Sequence, residues 1–169
     1  MDIAIISEEL LKASSPITTD TVITEFVPYV AIAQSIYIEP VLGTPLMDEL
    51  KLQVEENSLT PLNSKLILKA APPLAYFTAY QALPFHWAKI VNKGITIKES
   101  ENSKGVALDD ISQLRRWLRN DAELLLKLLV KYLHKHKDEY PLWRPKERCG
   151  GQGGTDDGSF ETGIYLKRG

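Results

Sequence analysis

Residues 32–50, IAQSIYIEPVLGTPLMDEL, constrain the fold more than any other part of this chain. Apolar and small residues at Ile32, Ala33, Ile36, Tyr37, Val41 and Leu42 recur at the period of a helix with one buried face. Pro40 falls in the last turn of that helix, and Gly43 supplies a left-handed stop that a side chain would resist. Thr44 is placed to cap a second helix, and Pro45 suits its first position, where a backbone N–H has no partner. The pattern predicts a helical hairpin whose turn is built from Pro40, Gly43, Thr44 and Pro45. It predicts no chemistry.

A chain of 169 residues is long enough to bury a real core around such a hairpin. No apolar run approaches the length of a membrane span, and MDIAIISEELL lacks the basic start and apolar stretch of a signal peptide. The expectation is a protein that folds in a cytoplasm without meeting a membrane. A single cysteine, Cys149, excludes an internal disulfide and argues against a structural zinc site. The net charge of −2 hides an asymmetry. Residues 1–60 carry ten acids against Lys12 and Lys51, a balance of −8, while residues 61–169 carry eighteen bases against twelve acids, a balance of +6. Either the two parts face different partners, or the charges lie on solvated faces that offset one another in the fold.

Upstream of the hairpin, Ser7 followed by two acids predicts a short capped helix ending near Ala13. SSPITTD is a linker by composition, with Thr19 or Asp20 able to cap the next helical turn. TVITEFV is β-branched, yet its place ahead of Pro28 favours such a turn. The second hairpin helix spans about Pro45 to Asn57, with Leu46, Met47, Leu50 and Val54 inward, and residues 58–63 form a turn containing Pro61. From Ser64 to about residue 90 the chain is nearly all apolar or small, too hydrophobic for one wet face, which predicts the core helix. Pro72, Pro73 and Pro84 each remove a donor and should kink or restart it. Tyr76, Phe77, Tyr80, Phe85 and Trp87 form an aromatic set; without interleaved Arg or Lys it reads as core rather than as a stack for bases. Past Asn92, ITIKES alternates like a half-exposed strand, so residues 94–106 are expected to make a loop or small β-hairpin.

Asp109 or Asp110 is expected to cap the longest helix, which runs to about Lys137. Ile111, Leu114, Leu118, Ala122, Leu125, Leu129 and Tyr132 form one stripe, and Trp117, Leu124, Leu128 and Leu133 extend it sideways. More than half the circumference is then apolar. The surplus needs a second cover, either residues 64–90 or a neighbouring subunit. Arg115, Arg116 and Arg119, with Lys127, Lys131, Lys135 and Lys137, supply a basic flank that suits DNA phosphates, an acidic subunit face or plain solvent. His134 and His136 are two apart on a helix and point in different directions, so no metal site is expected. His86 reads as a core or boundary residue. Cys149 has no His-plus-acid pattern, and no catalytic set emerges anywhere, so an enzyme is not expected.

Residues 139–169 change character and hold seven of the ten glycines. GGQGG is a flexible linker and not a phosphate loop, because the lysine followed by serine or threonine is missing. Phe160, Ile164, Tyr165 and Leu166 then return, which predicts an arm that orders on another chain. The organisation expected is a helical domain over 1–145 and a Gly-rich linker and arm over 146–169.

The pattern AQSIYIEPVLGTPLMDEL, then PPLAYFTAYQALP, KGITIKES, a long amphipathic helix and YPLW, resembles a family of small helical proteins of tailed bacteriophages. It is similar to those of phages of gut Bacteroidetes, the crAss-like group included, and more distantly to the head-to-tail adaptor (connector) proteins. The likeness runs over residues 23–143, strongest at Tyr37, Ile38, Glu39 and Pro40 with Leu42, Gly43 and Leu46; the Gly-rich tail departs from it. It implies an all-α adaptor, a bundle of about four to five helices. It also implies a homo-oligomeric ring, a dodecamer, around the DNA channel between portal and tail, in the virion after assembly in the host cytoplasm. The implied partners are further copies, the portal protein, other connector or tail proteins and, non-specifically, packaged DNA, with no cofactor. On that reading Trp117, Leu124, Leu128, Phe160, Ile164, Tyr165 and Leu166 are candidate subunit contacts. Arg115, Arg116, Arg119, Lys127 and Lys131 are candidate contacts to the channel DNA or an acidic partner. The rival is a helical nucleic-acid-binding or regulatory protein using the basic helix 109–137, which predicts a monomer or dimer with salt-sensitive DNA affinity.

Overall fold

A computed structural model describes residues 3–16, 23–91, 94–97 and 108–144, and the architecture is an all-α bundle with one small hairpin. Helix α1 is Glu8–Ala13, α2 Val27–Ala33, α3 Glu39–Leu42, α4 Thr44–Glu55, α5 Pro61–Trp87 and α6 Leu108–Lys135. Between α5 and α6 lie β1, Ala88–Val91, and β2, Gly94–Ile97. The arm at 146–169, with Cys149, Phe160, Ile164, Tyr165 and Leu166, lies outside the described residues, as do Thr19, Asp20 and residues 98–106.

Helix α5 is the element on which the others pack. Leu66, Ala70, Ala71, Leu74, Ala75 and Phe77 are all buried, and α1, α2, α6 and β1 each contact it. This explains why its sequence is apolar all round. It runs unbroken through Pro72, Pro73 and Pro84, so it does not restart at any of them. Each proline removes a hydrogen bond to the carbonyl four residues back, at a cost of about 3 kcal/mol, but packing from several sides outweighs that loss. The helix also ends earlier than residue 90, because Ala88–Val91 leaves it to pair antiparallel with Gly94–Ile97. A hairpin therefore lies at 88–97, with only its second strand legible as alternation, and the rest of the expected stretch, 98–106, lies outside the described residues.

Helix α1 matches expectation, with the Ser7 hydroxyl accepting from the Leu10 N–H at 3.2 Å. Residues 23–25 form a single 3₁₀ turn ahead of α2. From α2 to α3 the helix widens into a π turn over Gln34–Ile38, where the Glu39 N–H reaches Gln34 O. Pro40 follows at once, and the wide turn removes the clash its ring would make with a carbonyl four residues earlier. The inward face is Val30, Ala33, Gln34, Ile38, Val41 and Leu42, whereas Ile32 and Ile36 are exposed. A hydrophobic period alone misplaces those two, because Gln34 is polar yet fully buried. Its amide accepts from the Ile5 N–H at 3.0 Å and donates to Ile3 O at 2.9 Å, satisfying both ends.

The Gly43 turn forms with two differences. Gly43 has φ 80° and ψ 147°, a glycine-only extended conformation with positive φ rather than the left-handed helical one. It also serves both helices, its N–H donating to Glu39 O at 2.8 Å and its carbonyl accepting from Met47 N at 3.0 Å. Helix α4 consequently starts at Thr44, whose side chain makes no cap, with Pro45 in the first turn. Leu46, Met47 and Leu50 are buried as expected, with Val54 half-buried. The following turn stops at Thr60, earlier than residue 63, since the Thr60 hydroxyl caps α5 by accepting from the Asn63 N–H at 3.2 Å. Asn63 ties the corner by donating to Glu49 Oε1 at 3.0 Å and Gln53 Oε1 at 2.9 Å.

Helix α6 ends at Lys135, two residues short of expectation, and Asp109 and Asp110 lie within its first turn, where they oppose the dipole instead of capping. The chain then folds back over the bundle. Tyr140 Oη donates to Leu62 O at 3.1 Å, and Tyr140 and Trp143 are both buried.

Candidate interaction surface

Helix α6 has two apolar faces. Ile111, Leu118, Ala122, Leu126, Leu129, Val130 and Leu133 are buried, mainly against α5. Projected at about 100° per residue, Trp117, Leu124 and Leu128 fall within roughly 40° of one another, about 140° round the helix from that set. They are 58%, 59% and 62% exposed. Leu114 is exposed at the edge of the same stripe, and Asp121 sits between Trp117 and Leu124.

Sequence periodicity separates these faces imperfectly. Leu114, expected in the core stripe, is exposed, and Leu133, expected at the side, is fully buried. Leu126 and Val130 are core residues that the run LLLKLLV conceals, since nearly every position in it is apolar. Residues 64–90 do not cover the surplus. The part of the expected interface within the described residues, Trp117, Leu124 and Leu128, is brought together on one exposed strip.

The basic residues do not share one role. Arg115 turns toward α5, its guanidinium 4.4 Å from the centre of the Tyr80 ring. Its Nε is buried with no hydrogen-bond partner among the described residues. Arg119 pairs with Glu123 at 2.8 Å on its own helix. Arg116, Lys127 and Lys131 are exposed alongside the apolar strip, and Arg116 joins Gln113, Trp117 and Asn120 around a shallow groove.

The aromatic residues are mostly engaged within the bundle. Phe77 stacks on Tyr37 with ring centres 3.8 Å apart, and Tyr37 Oη accepts from Gln81 Nε2 at 2.8 Å. Burial, followed by the neighbouring Tyr80, raises the Tyr37 hydroxyl above its ordinary pKa, so it stays neutral near neutrality. Phe85 stacks on Tyr29, and His86 stacks on Phe26 at 4.3 Å beside Glu25, the boundary role expected of it. His134 meets the edge of Trp143, and His136 pairs with Glu139 at 2.7 Å, so these histidines have separate neighbours. No group of three or more His, Cys, Asp or Glu side chains suited to a metal occurs among the described residues. Among the same residues, no helix is long and apolar enough to cross a membrane.

Fold and surface together define an all-α bundle that leaves one face of its longest helix uncovered. The chain belongs to a family described as a family of unknown function (DUF6712), whose model matches residues 38–153. That span takes in α4, α5 and α6 and the Tyr140 and Trp143 fold-back, and leaves α1, α2 and the apolar end of the arm outside. No curated protein and no solved structure matches the chain.

Proposed function

We propose that this protein is a structural subunit of a head-to-tail connector in a tailed bacteriophage, forming a ring between portal and tail around the DNA channel. The observation that carries the reading is the second apolar face of α6, Trp117, Leu124 and Leu128, set opposite the face that builds the core. An exposed apolar strip of this kind is a hallmark of a protein-protein contact. A ring also needs a second, different surface on each copy, and Ile32 and Ile36 on the α2 side of the bundle offer apolar area for it. The resemblance of the hairpin and α5 sequences to phage adaptors supplies the identity of the assembly.

The nucleic-acid-binding reading is less well supported. Arg115 is engaged with Tyr80, Arg119 with Glu123, and Phe77 with Tyr37, so two of the five basic residues and one ring of the set that reading uses are held within the bundle. Mass measurement of the purified protein, alone and mixed with a portal, tests the proposal. A ring-sized species in either sample supports it, and a monomer or dimer in both, with salt-sensitive DNA binding, supports the rival.

A further inference from the structure

Resting on the ring reading, we propose that the occupant of the α6 strip is the C-terminal arm of a neighbouring copy, with Phe160, Ile164 and Leu166 seated against Trp117, Leu124 and Leu128. Three observations converge on that occupant.

The first is fit of length. Residues 160–166 in extended form span about 20 Å, and Trp117 to Leu128 span about 16 Å along the helix. Arg144 is the last described residue, and the fifteen residues between it and Phe160 give a reach of up to about 50 Å.

Charge is the second. The arm carries Asp156 and Asp157 before its apolar residues, Glu161 among them, and Lys167 and Arg168 after them. Helix α6 carries Asp109, Asp110 and Asp121 offset by Arg115, Arg116 and Arg119 in its first half, and Lys127, Lys131 and Lys135 toward its end. An arm running antiparallel to α6 sets its acids on the lysine end of the helix, and the reverse direction sets Lys167 and Arg168 on those lysines.

The third concerns where the chain leaves the fold. Trp143 donates to Val41 O and is buried in the core cluster, so the exit is on the core side of α6. The strip faces the other way, so within one copy the arm must pass round the helix to reach it. On the ring reading a neighbour's strip takes it instead, and each copy then gives one arm and receives one, the head-to-tail arrangement that closes a ring.

Disulfide trapping in the full chain tests this. In a Cys149→Ser background, Leu124→Cys is combined with Ile164→Cys, and the control combines Ile164→Cys with Leu68→Cys, an exposed position on α5. After mild oxidation, alone and with portal, products are sized on a non-reducing gel, and the wild-type mass is measured under the same conditions. Linked dimers and longer ladders with Leu124→Cys, absent from the Leu68→Cys control, are expected. A linked product of monomer size overturns the exchange between copies, since the arm then covers its own strip. Absence of any linked product while the wild-type forms a ring overturns the arm as occupant and leaves the ring standing. A monomeric wild-type mass with portal present contradicts the ring instead.

Discussion

The indole Nε1 of Trp143 donates to the carbonyl oxygen of Val41 at 2.9 Å, joining residues 102 apart in sequence. The contact clasps the segment after α6 onto α3 in the helical hairpin. Trp143 is 6% exposed, so both its area and its hydrogen bond are committed.

Trp143→Ala is expected to cost about 3–5 kcal/mol through lost burial and the cavity left behind. Trp143→Phe keeps most of the area but removes the donor to Val41, and should cost about 1–3 kcal/mol. Urea unfolding with an unchanged slope measures both. Equal stability of the Phe variant and wild type would show that the bond adds nothing.

Gly43→Val is expected to destabilise by about 1–3 kcal/mol through backbone strain at φ 80°. Steric overlap is not the cause, because the nearest atom to an added Cβ, Pro45 Cδ, is 3.9 Å away, an ordinary contact. Gly43→Ala should therefore show most of the same loss in a thermal melt. An unchanged melting temperature for both variants would contradict the turn geometry.

Alkaline pH should weaken the fold through Tyr140. Burial first, and then the hydrogen bond with Tyr132, hold its hydroxyl well above the ordinary value of 10.0. The unfolded chain loses this proton near pH 10 while the folded chain keeps it, so its stabilising contribution is complete below pH 10 and falls as pH rises beyond that. Burial of Tyr37 acts in the same direction. Tyr140→Phe should lower stability at pH 7, because Leu62 O loses its donor, and should flatten the decline above pH 10. A pH series of urea midpoints reads both effects.

Deleting residues 155–169 should leave thermal unfolding of the bundle nearly unchanged, because the described residues between Ile5 and Trp143 already form a continuous core cluster. Assembly should weaken. Gly150 to Gly154 lose roughly 1–2 kcal/mol of backbone freedom per residue on ordering, so Phe160, Ile164, Tyr165 and Leu166 must supply the anchoring by burial. Calorimetry paired with mass measurement separates the two outcomes; full assembly of the truncated chain would exclude the arm as a clamp.

Much of the bundle is legible in the sequence because its signals are local. Ser7 capping α1, Gly43 ending α3 and the apolar continuity of α5 all act within a few residues. The misreadings arise where tertiary contacts decide. Gln34 is buried only because Ile3 and Ile5 come to its amide from across the fold, and that reverses the apparent face of Ile32 and Ile36. The prolines of α5 do not break it because neighbours hold the helix. In α6 the surplus of leucines is visible, but assigning Leu133 inward and Leu114 outward requires knowing where α5 lies. For the basic flank, sequence shows which residues are charged but not that Arg115 and Arg119 already have partners.

Leu124→Asp and Leu128→Asp, made together, test the central claim most directly. Both side chains are exposed, so the charges should change folding stability by no more than about 0.5 kcal/mol each. The measurement is the mass of the variant mixed with portal, beside wild type, with circular dichroism to confirm the helical fold. The account predicts a ring-sized species for wild type and a folded monomer for the variant. A folded variant that still forms the ring would contradict the assignment of this face to assembly.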